Sequence, residues 1–164
     1  KKHEQLIKAF EIFKKRTGLP HRLVITGSEG DSFNFVNDLA FNSEYSTDIF
    51  ITGYFPHENF GKLYAGAEAC VFPAVNEGVG LPILEAMACG IPVLCSNSGS
   101  LKEMGGDAPI YFDSDNIEEI ATDMQIVVED ENKRSEMIQK GLEVSSQFSW
   151  EKTVLETLEI IKKM

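Results

Sequence analysis

In the first seventeen residues the apolar positions Leu6, Ile7, Phe10 and Phe13 recur every three or four residues. That is the spacing of one face of an α-helix, so the pattern predicts a helix over 3–17. Gly18-Leu19-Pro20 closes it. The pattern then changes to short apolar runs, each ending near a turn residue: RLVIT at 22–26, DIFIT at 48–52, ACVFP at 69–73, PVLCS at 92–96 and PIYF at 109–112. These read as strands. Helical periodicity returns between them, at 32–43 with Phe33, Val36, Leu39 and Ala40 on one face, at 57–66, and at 82–89 after Pro82. Ser100 and Glu103 have capping-box spacing and predict a short helix. Three helices close the chain near 116–129, 132–147 and 150–163, with Asn116 and Ser149 as N-caps.

Short strands that are apolar on both faces and alternate with helices specify parallel strands joined by helical crossovers. The predicted fold class is therefore α/β, a doubly wound parallel sheet of Rossmann-like type. No repeat, low-complexity tract or Pro/Ser-rich linker divides the sequence, so residues 1–164 read as a single domain. In such sheets, ligands bind where strands deliver their C-terminal ends into loops. The loops after residues 26, 52, 73 and 96 are the places to look for chemistry.

Composition narrows the classes. With 43% hydrophobic and 25% charged residues the chain is globular in balance. No apolar run approaches the ~20 residues of a membrane span, and the N-terminus carries no signal-peptide pattern. The formal charge of −11 argues against nucleic acid as a partner. It also requires any phosphate-bearing ligand to be held by a local field of opposite sign. Cys70, Cys89 and Cys95 are odd in number, sit in apolar contexts and lack metal-ligand spacing, so they read as buried reduced thiols in a cytoplasmic protein and no metal site is predicted. Asp113-Ser114-Asp115 is the one Asp-x-Asp, and it reads as a turn before a capped helix.

The loop after the third strand carries most of the chemistry. From Phe72 the chain reads FPAVNEGVGLPILEAMACGIPVLCS. Gly78 and Gly80 allow close backbone approach to a ligand. The helix beginning at Pro82 points free N–H groups at the loop, and a helix N-terminus binds anions well. The backbone of Gly78, Val79, Gly80 and Leu81 could thus cradle a sugar or a diphosphate. Glu77 and Glu85 flank the turn, and each carboxylate can accept both hydroxyls of a vicinal diol. A nucleotide sugar has two such diols separated by a diphosphate. Taken alone, Glu85 reads as a helix-dipole residue and Glu77 as a solvated loop residue; in this company both read as ligand-binding.

With seven residues between Glu77 and Glu85, EGVGLPILEAMACGIPV resembles the E-x7-E signature of retaining GT-B glycosyltransferases of the group 1 family. The resemblance extends to LVITGSEG, DIFITGYFPHENFGKLYAGAEACVFPA, SNSGSLKEMGGDAPIYFD and FSWEKTVLETL, which is nearly the whole chain. It implies the C-terminal, donor-binding half of a GT-B enzyme. The full-length enzyme would transfer a sugar from a nucleoside-diphosphate sugar to a glycan or lipid-linked glycan, as in polysaccharide biosynthesis, with retained configuration. The resemblance gives Glu77 the catalytic place, contacting the donor sugar and orienting its anomeric carbon. It gives Glu85 the ribose hydroxyls, the amides from Gly78 to Leu81 the sugar and phosphates, and Lys1 the leaving diphosphate. Gly53 to Phe55 falls where the family binds the base.

The resemblance also implies that no cofactor or metal is needed, since basic side chains and a helix dipole replace it. It places a first strand with a phosphate-binding arginine just before Lys1, and an acceptor-binding N-terminal domain before that. The isolated fragment is then expected to have little or no transferase activity, its missing N-terminal domain being its partner. The location is expected to be cytoplasmic, with peripheral association at the inner face of the membrane open only to the full-length protein. The chain departs from the family at Val79, where many members have Phe, and at Glu29, where many have a small residue. His3, His21 and His57 receive no role; His21 and His57 read as surface residues and Trp150 as a packing residue. Two rivals stand beside this reading: a nucleotide-sugar epimerase, which should lack E-x7-E, and a signalling receiver domain, which should carry an acidic cluster after its first strand.

Overall fold

A computed structural model describes residues 1–163. Thirteen elements alternate as the pattern requires. They begin with α1 (His3–Thr17), β1 (Leu23–Thr26), α2 (Phe33–Asn42), β2 (Ile49–Gly53), α3 (Phe60–Ala65) and β3 (Cys70–Phe72). Then come α4 (Leu81–Ala88), β4 (Val93–Ser96), α5 (Leu101–Gly105), β5 (Ile110–Phe112), α6 (Ile117–Glu129), α7 (Glu131–Ser145) and α8 (Trp150–Lys163). Short 3-10 turns precede β2 and α3, at Ser46–Asp48 and His57–Asn59.

Every strand pairing is parallel: β1 with β2, and β4 with both β3 and β5. The pairings form a two-stranded sheet and a three-stranded sheet rather than one continuous sheet. Helices cover both faces of the larger sheet, and β4 shows how. Leu94 joins a core with Phe10 and Phe13 of α1 and Ile120 and Val127 of α6. Its neighbours Val93 and Cys95 join the opposite core, with Ile83 and Met87 of α4 and Leu101 of α5. All four residues of β4 are buried, as a central parallel strand demands. Ile25 of β1 and Ile49 of β2 belong to the first core, so one apolar layer underlies both sheets. Each large apolar side chain fully buried there contributes about 1.5–3 kcal/mol.

Polar anchors tie the helices to the loops. Lys14 of α1 is buried, yet its ammonium donates to the Leu19 and His21 carbonyls at 2.6 and 3.1 Å and lies 2.8 Å from the Asp48 carboxylate. Asn116 accepts from the Glu119 amide and Ser149 from the Lys152 amide, so both predicted N-caps form. The Asp113 carboxylate accepts from the Asp115 amide, which makes Asp113-Ser114-Asp115 the turn that was expected. At Gly141 the α7 backbone presses on α4: a Cβ there would meet Met87 Cγ at 3.1 Å.

Several expectations need correction. Ser100 makes no capping bond to α5. Trp150 is 73% exposed and packs no core, because every side chain described in α8 is exposed. His21 is half-buried, edge-on to Phe13, with its Nδ1 unpartnered among the described residues. Of the three thiols only Cys95 is fully buried; Cys70 is half-buried and Cys89 exposed. No helix among the described residues is long and apolar enough to cross a membrane.

Candidate functional site

The loop from Pro73 to Gly80 leaves the C-terminal end of β3 and feeds α4. Its first part is pinned from the neighbouring loop after β4. The Ser96 and Ser98 hydroxyls both donate to the Ala74 carbonyl, Ser98 at 3.1 Å. Two residues on, the Ser100 hydroxyl donates to the Glu77 carbonyl at 2.9 Å. Gly99, in the left-handed region at φ 54°, lies against the same carbonyl; a Cβ there would sit 3.5 Å from it. The backbone of Glu77 is thereby fixed by a neighbouring strand's loop, although it lies in a segment without regular structure.

The turn itself stays open. Gly78, Val79 and Leu81 are exposed, whereas Gly80 is buried in the left-handed conformation as the N-cap of α4. No side chain caps this helix, and Pro82 in its first turn has no N–H to satisfy. The helix starts one residue earlier than the sequence suggests, at Leu81, with Pro82 second. The Ile83 amide donates back to the Gly80 carbonyl at 3.1 Å, and the positive end of the helix dipole points at the loop.

Glu77 turns its side chain inward, to 17% exposure, and pairs with the Lys1 ammonium. That ammonium also sits 5.2 Å from the centroid of the Phe72 ring, a cation–π position at the end of β3. Glu77 Oε1 is buried and ion-paired with the Lys1 ammonium. A carboxylate has two oxygens with several acceptor sites, so the pair leaves capacity for further donors beside the open turn.

Glu85 lies elsewhere on α4, half-buried beside the Tyr64 hydroxyl and Cys70. Burial raises the Tyr64 phenol well above its usual value, with further contributions from Cys70 and Glu85. Burial, then Glu85, pushes the Cys70 thiol up to about 12. Tyr64 also donates to the Pro82 carbonyl at 3.4 Å, so it braces the first turn of α4. Of the residues singled out in the sequence, then, Lys1 and Glu77 meet directly and Gly78 to Leu81 form one open turn. Glu85 occupies a separate position on the helix that the turn begins.

The loop after β2 lies at the end of the other sheet. Gly53, at φ 66°, accepts from the Gly27 amide at 3.1 Å, which joins the ends of β1 and β2. Tyr54 next to it is 73% exposed. The bracing roles of Ser98, Ser100 and Tyr64 were not legible from spacing; the run SNSGS after β4 is the one signal that could have pointed there. Among the described residues, no group of three or more His, Cys, Asp or Glu gathers as metal ligands would.

Parallel strands alternating with helices, and a glycine turn feeding an uncapped helix at a strand's C-terminal end, define a Rossmann-like α/β domain. Residues 1–144 match the family described as "Glycosyl transferases group 1", and the chain belongs to it. It is 34% identical to the O-antigen chain mannosyltransferase B of Escherichia coli over 157 residues, covering 96% of this chain and 41% of that one. Against the Uncharacterized glycosyltransferase MJ1607 of Methanocaldococcus jannaschii it is 30% identical over 162 residues, 97% of this chain and 41% of that one. Anabaena HepE, solved in complex with UDP-glucose, superposes with a TM-score of 0.85 at 18% identity over 98% of this chain and 45% of that one. Sucrose-phosphate synthase from Thermosynechococcus elongatus gives 0.83 at 23% identity, over 96% and 41%. The chain thus spans about two-fifths of the length of these relatives.

Proposed function

We propose that this chain is the donor-binding domain of a retaining glycosyltransferase and takes a nucleoside-diphosphate sugar at the Glu77–Leu81 turn. One observation carries the reading: Glu77, paired with Lys1, lies beside the exposed Gly78, Val79 and Leu81 at the uncapped start of α4. A sugar hydroxyl would donate to the Glu77 carboxylate, and the helix end would supply positive potential for the phosphates. Lys1, stationed at Glu77, would neutralise charge developing on the leaving diphosphate. Glu77 would orient the anomeric carbon, and Glu85 would accept from the ribose hydroxyls. The names of relatives, O-antigen mannosyltransferase among them, support a hexose donor and a glycan or lipid-linked glycan acceptor. Lysine and helix dipole would serve in place of a metal. The acceptor would be held by a separate N-terminal domain of the longer protein, with a cytoplasmic location peripheral to the membrane, so this chain alone would transfer little sugar.

Calorimetric titration with UDP- and GDP-sugars tests the reading. One of them should bind without added divalent metal. Glu77→Gln should weaken the sugar nucleotide about ten- to a hundredfold, the loss of a charge-assisted hydrogen bond of about 1.5–3 kcal/mol, and should affect the bare nucleotide much less. Binding of neither class of donor, or equal loss for sugar nucleotide and bare nucleotide, would sink the assignment of Glu77.

A further inference from the structure

Tyr64 sits in the last turn of α3, and its side chain is buried in the core that α4 covers. Its hydroxyl meets α4 at two places. It donates to the Pro82 carbonyl at 3.4 Å, and it lies within hydrogen-bonding reach of the Glu85 carboxylate. Pro82 and Glu85 are three residues apart, so both acceptors stand on one face of the helix. The bond to Pro82 is long, and a carboxylate is the stronger acceptor for a phenol's single proton. No ion pair holds Glu85 among the described residues. Cys70 also lies beside it, but a thiol is a weak donor. The Tyr64 ring is itself fixed. Phe60 packs against it with centroids 6.0 Å apart, and Phe55 meets Phe60 edge-on at 5.4 Å, both spacings of favourable aromatic pairs.

We propose that Tyr64 is a positioning residue for the donor's ribose: its hydroxyl holds the Glu85 carboxylate in one orientation, ready to accept from the ribose hydroxyls. The inference rests on the donor-binding reading and adds to it a residue that reading does not use. Tyr64 is buried and acts only through Glu85. A glutamate side chain has several rotatable bonds, and freezing them when the ligand arrives weakens binding. A carboxylate already held by a fixed phenol avoids that cost. Its two oxygens have acceptor sites enough for Tyr64 and the ribose together. A site whose acceptor is held in place for a hydroxyl rejects a ligand that lacks it. Tyr64 therefore sharpens the choice of ribose over deoxyribose, and Phe60 supports that choice by fixing the ring.

Calorimetry can compare UDP and GDP with their 2′-deoxy counterparts and with inorganic pyrophosphate. For whichever nucleotide binds, the parent should favour the ribose form about tenfold, as one hydrogen bond to a charged acceptor allows. Tyr64→Phe keeps the ring, and it should cut that preference about threefold to tenfold while leaving pyrophosphate unaffected. Glu85→Gln should also lower the preference, and adding Tyr64→Phe to it should change nothing further. Phe60→Leu loosens the ring without removing the hydroxyl. It should lower the preference in the same direction, and it covers a Tyr64 variant that folds poorly. Equal losses for ribose and deoxyribose forms in Tyr64→Phe, or losses that add in the double variant, would make Tyr64 a brace of α4 alone and overturn the proposal. A parent that binds a nucleoside diphosphate but ignores the 2′-hydroxyl would overturn it too, with donor binding left standing. A parent that binds neither UDP nor GDP would end the donor reading and this inference together.

Discussion

The Ser100 hydroxyl donates to the carbonyl of Glu77 at 2.9 Å, across the gap between the loops after β3 and β4. The same hydroxyl, by its spacing to Glu103, was expected to cap α5, and it makes no such bond. Its proton fixes the backbone of the residue at the centre of the site, while its oxygen accepts nothing from the first turn of α5 among the described residues. Ser100→Ala should therefore cost about 1 kcal/mol, a fall of about 2–4 °C in melting temperature for a domain of this size, and should weaken donor binding as well. Glu103→Ala should change stability by less than about 0.5 kcal/mol, since Glu103 is exposed and the capping box is unformed. A large effect at Glu103 in calorimetry, or none at Ser100, would reverse the assignment.

Gly80 is held at φ 80°, and a Cβ on it would collide with Leu101 Cδ2 in the core beneath the turn. Gly80→Ala meets two costs, the left-handed backbone at about 1–2 kcal/mol and the displacement of Leu101. Together they should lower the melting temperature by about 5–10 °C. Shortening the neighbour in the double variant Gly80→Ala/Leu101→Ala should recover the steric part only, so the two substitutions should be non-additive in a thermodynamic cycle.

The elements of this fold were legible because each is a local pattern. Leu6, Ile7, Phe10 and Phe13 mark the α1 face that is in fact buried, and the five apolar runs fall on the five strands to within a residue or two. The turn at Gly78 to Leu81 and its helix were readable from glycine and proline. What escaped were properties that depend on distant neighbours. Nothing near Trp150 in sequence says that α8 will find no surface to cover it. The periodicity of RLVIT and ACVFP shows buried strands but not whether both edges are paired. The partner of the Ser100 hydroxyl lies 23 residues away, so spacing alone chose the nearer and wrong one.

The three cysteines should separate cleanly by reactivity. Burial pushes Cys70 and Cys95 up to about 12 each, with Glu85 adding to the first and Cys70 to the second. Roughly one molecule in ten thousand then carries either thiolate at pH 8. Cys89, just past the end of α4, is exposed. Titration with a chromogenic disulfide at pH 8 should show one thiol reacting at least a hundredfold faster than the other two, which react on unfolding. Cys89→Ser should abolish the fast phase; a surviving fast phase would mean that Cys70 is open to solvent.

Asp123 of α6 gives the molecule a pH dependence of unusual sign. It is half-buried, its Oδ2 has no hydrogen-bond partner among the described residues, and burial, then repulsion from Glu119, raises its pKa from 3.8 to about 6. A carboxyl whose pKa is higher in the folded state binds a proton more tightly there. Its favourable contribution is complete below the unfolded value near 4 and is lost as pH rises through about 6, the reverse of an ion-paired acid. With partial solvent access taken into account, the charged form costs about 1 kcal/mol at neutral pH. Asp123→Asn should therefore melt about 2–4 °C above the parent at pH 7.5, and the advantage should shrink steadily as pH falls from 6 to 4. Melting curves of the two proteins across that range decide the matter: a constant difference, or an Asn variant less stable at pH 7.5, would show that Asp123 has a partner when ionised.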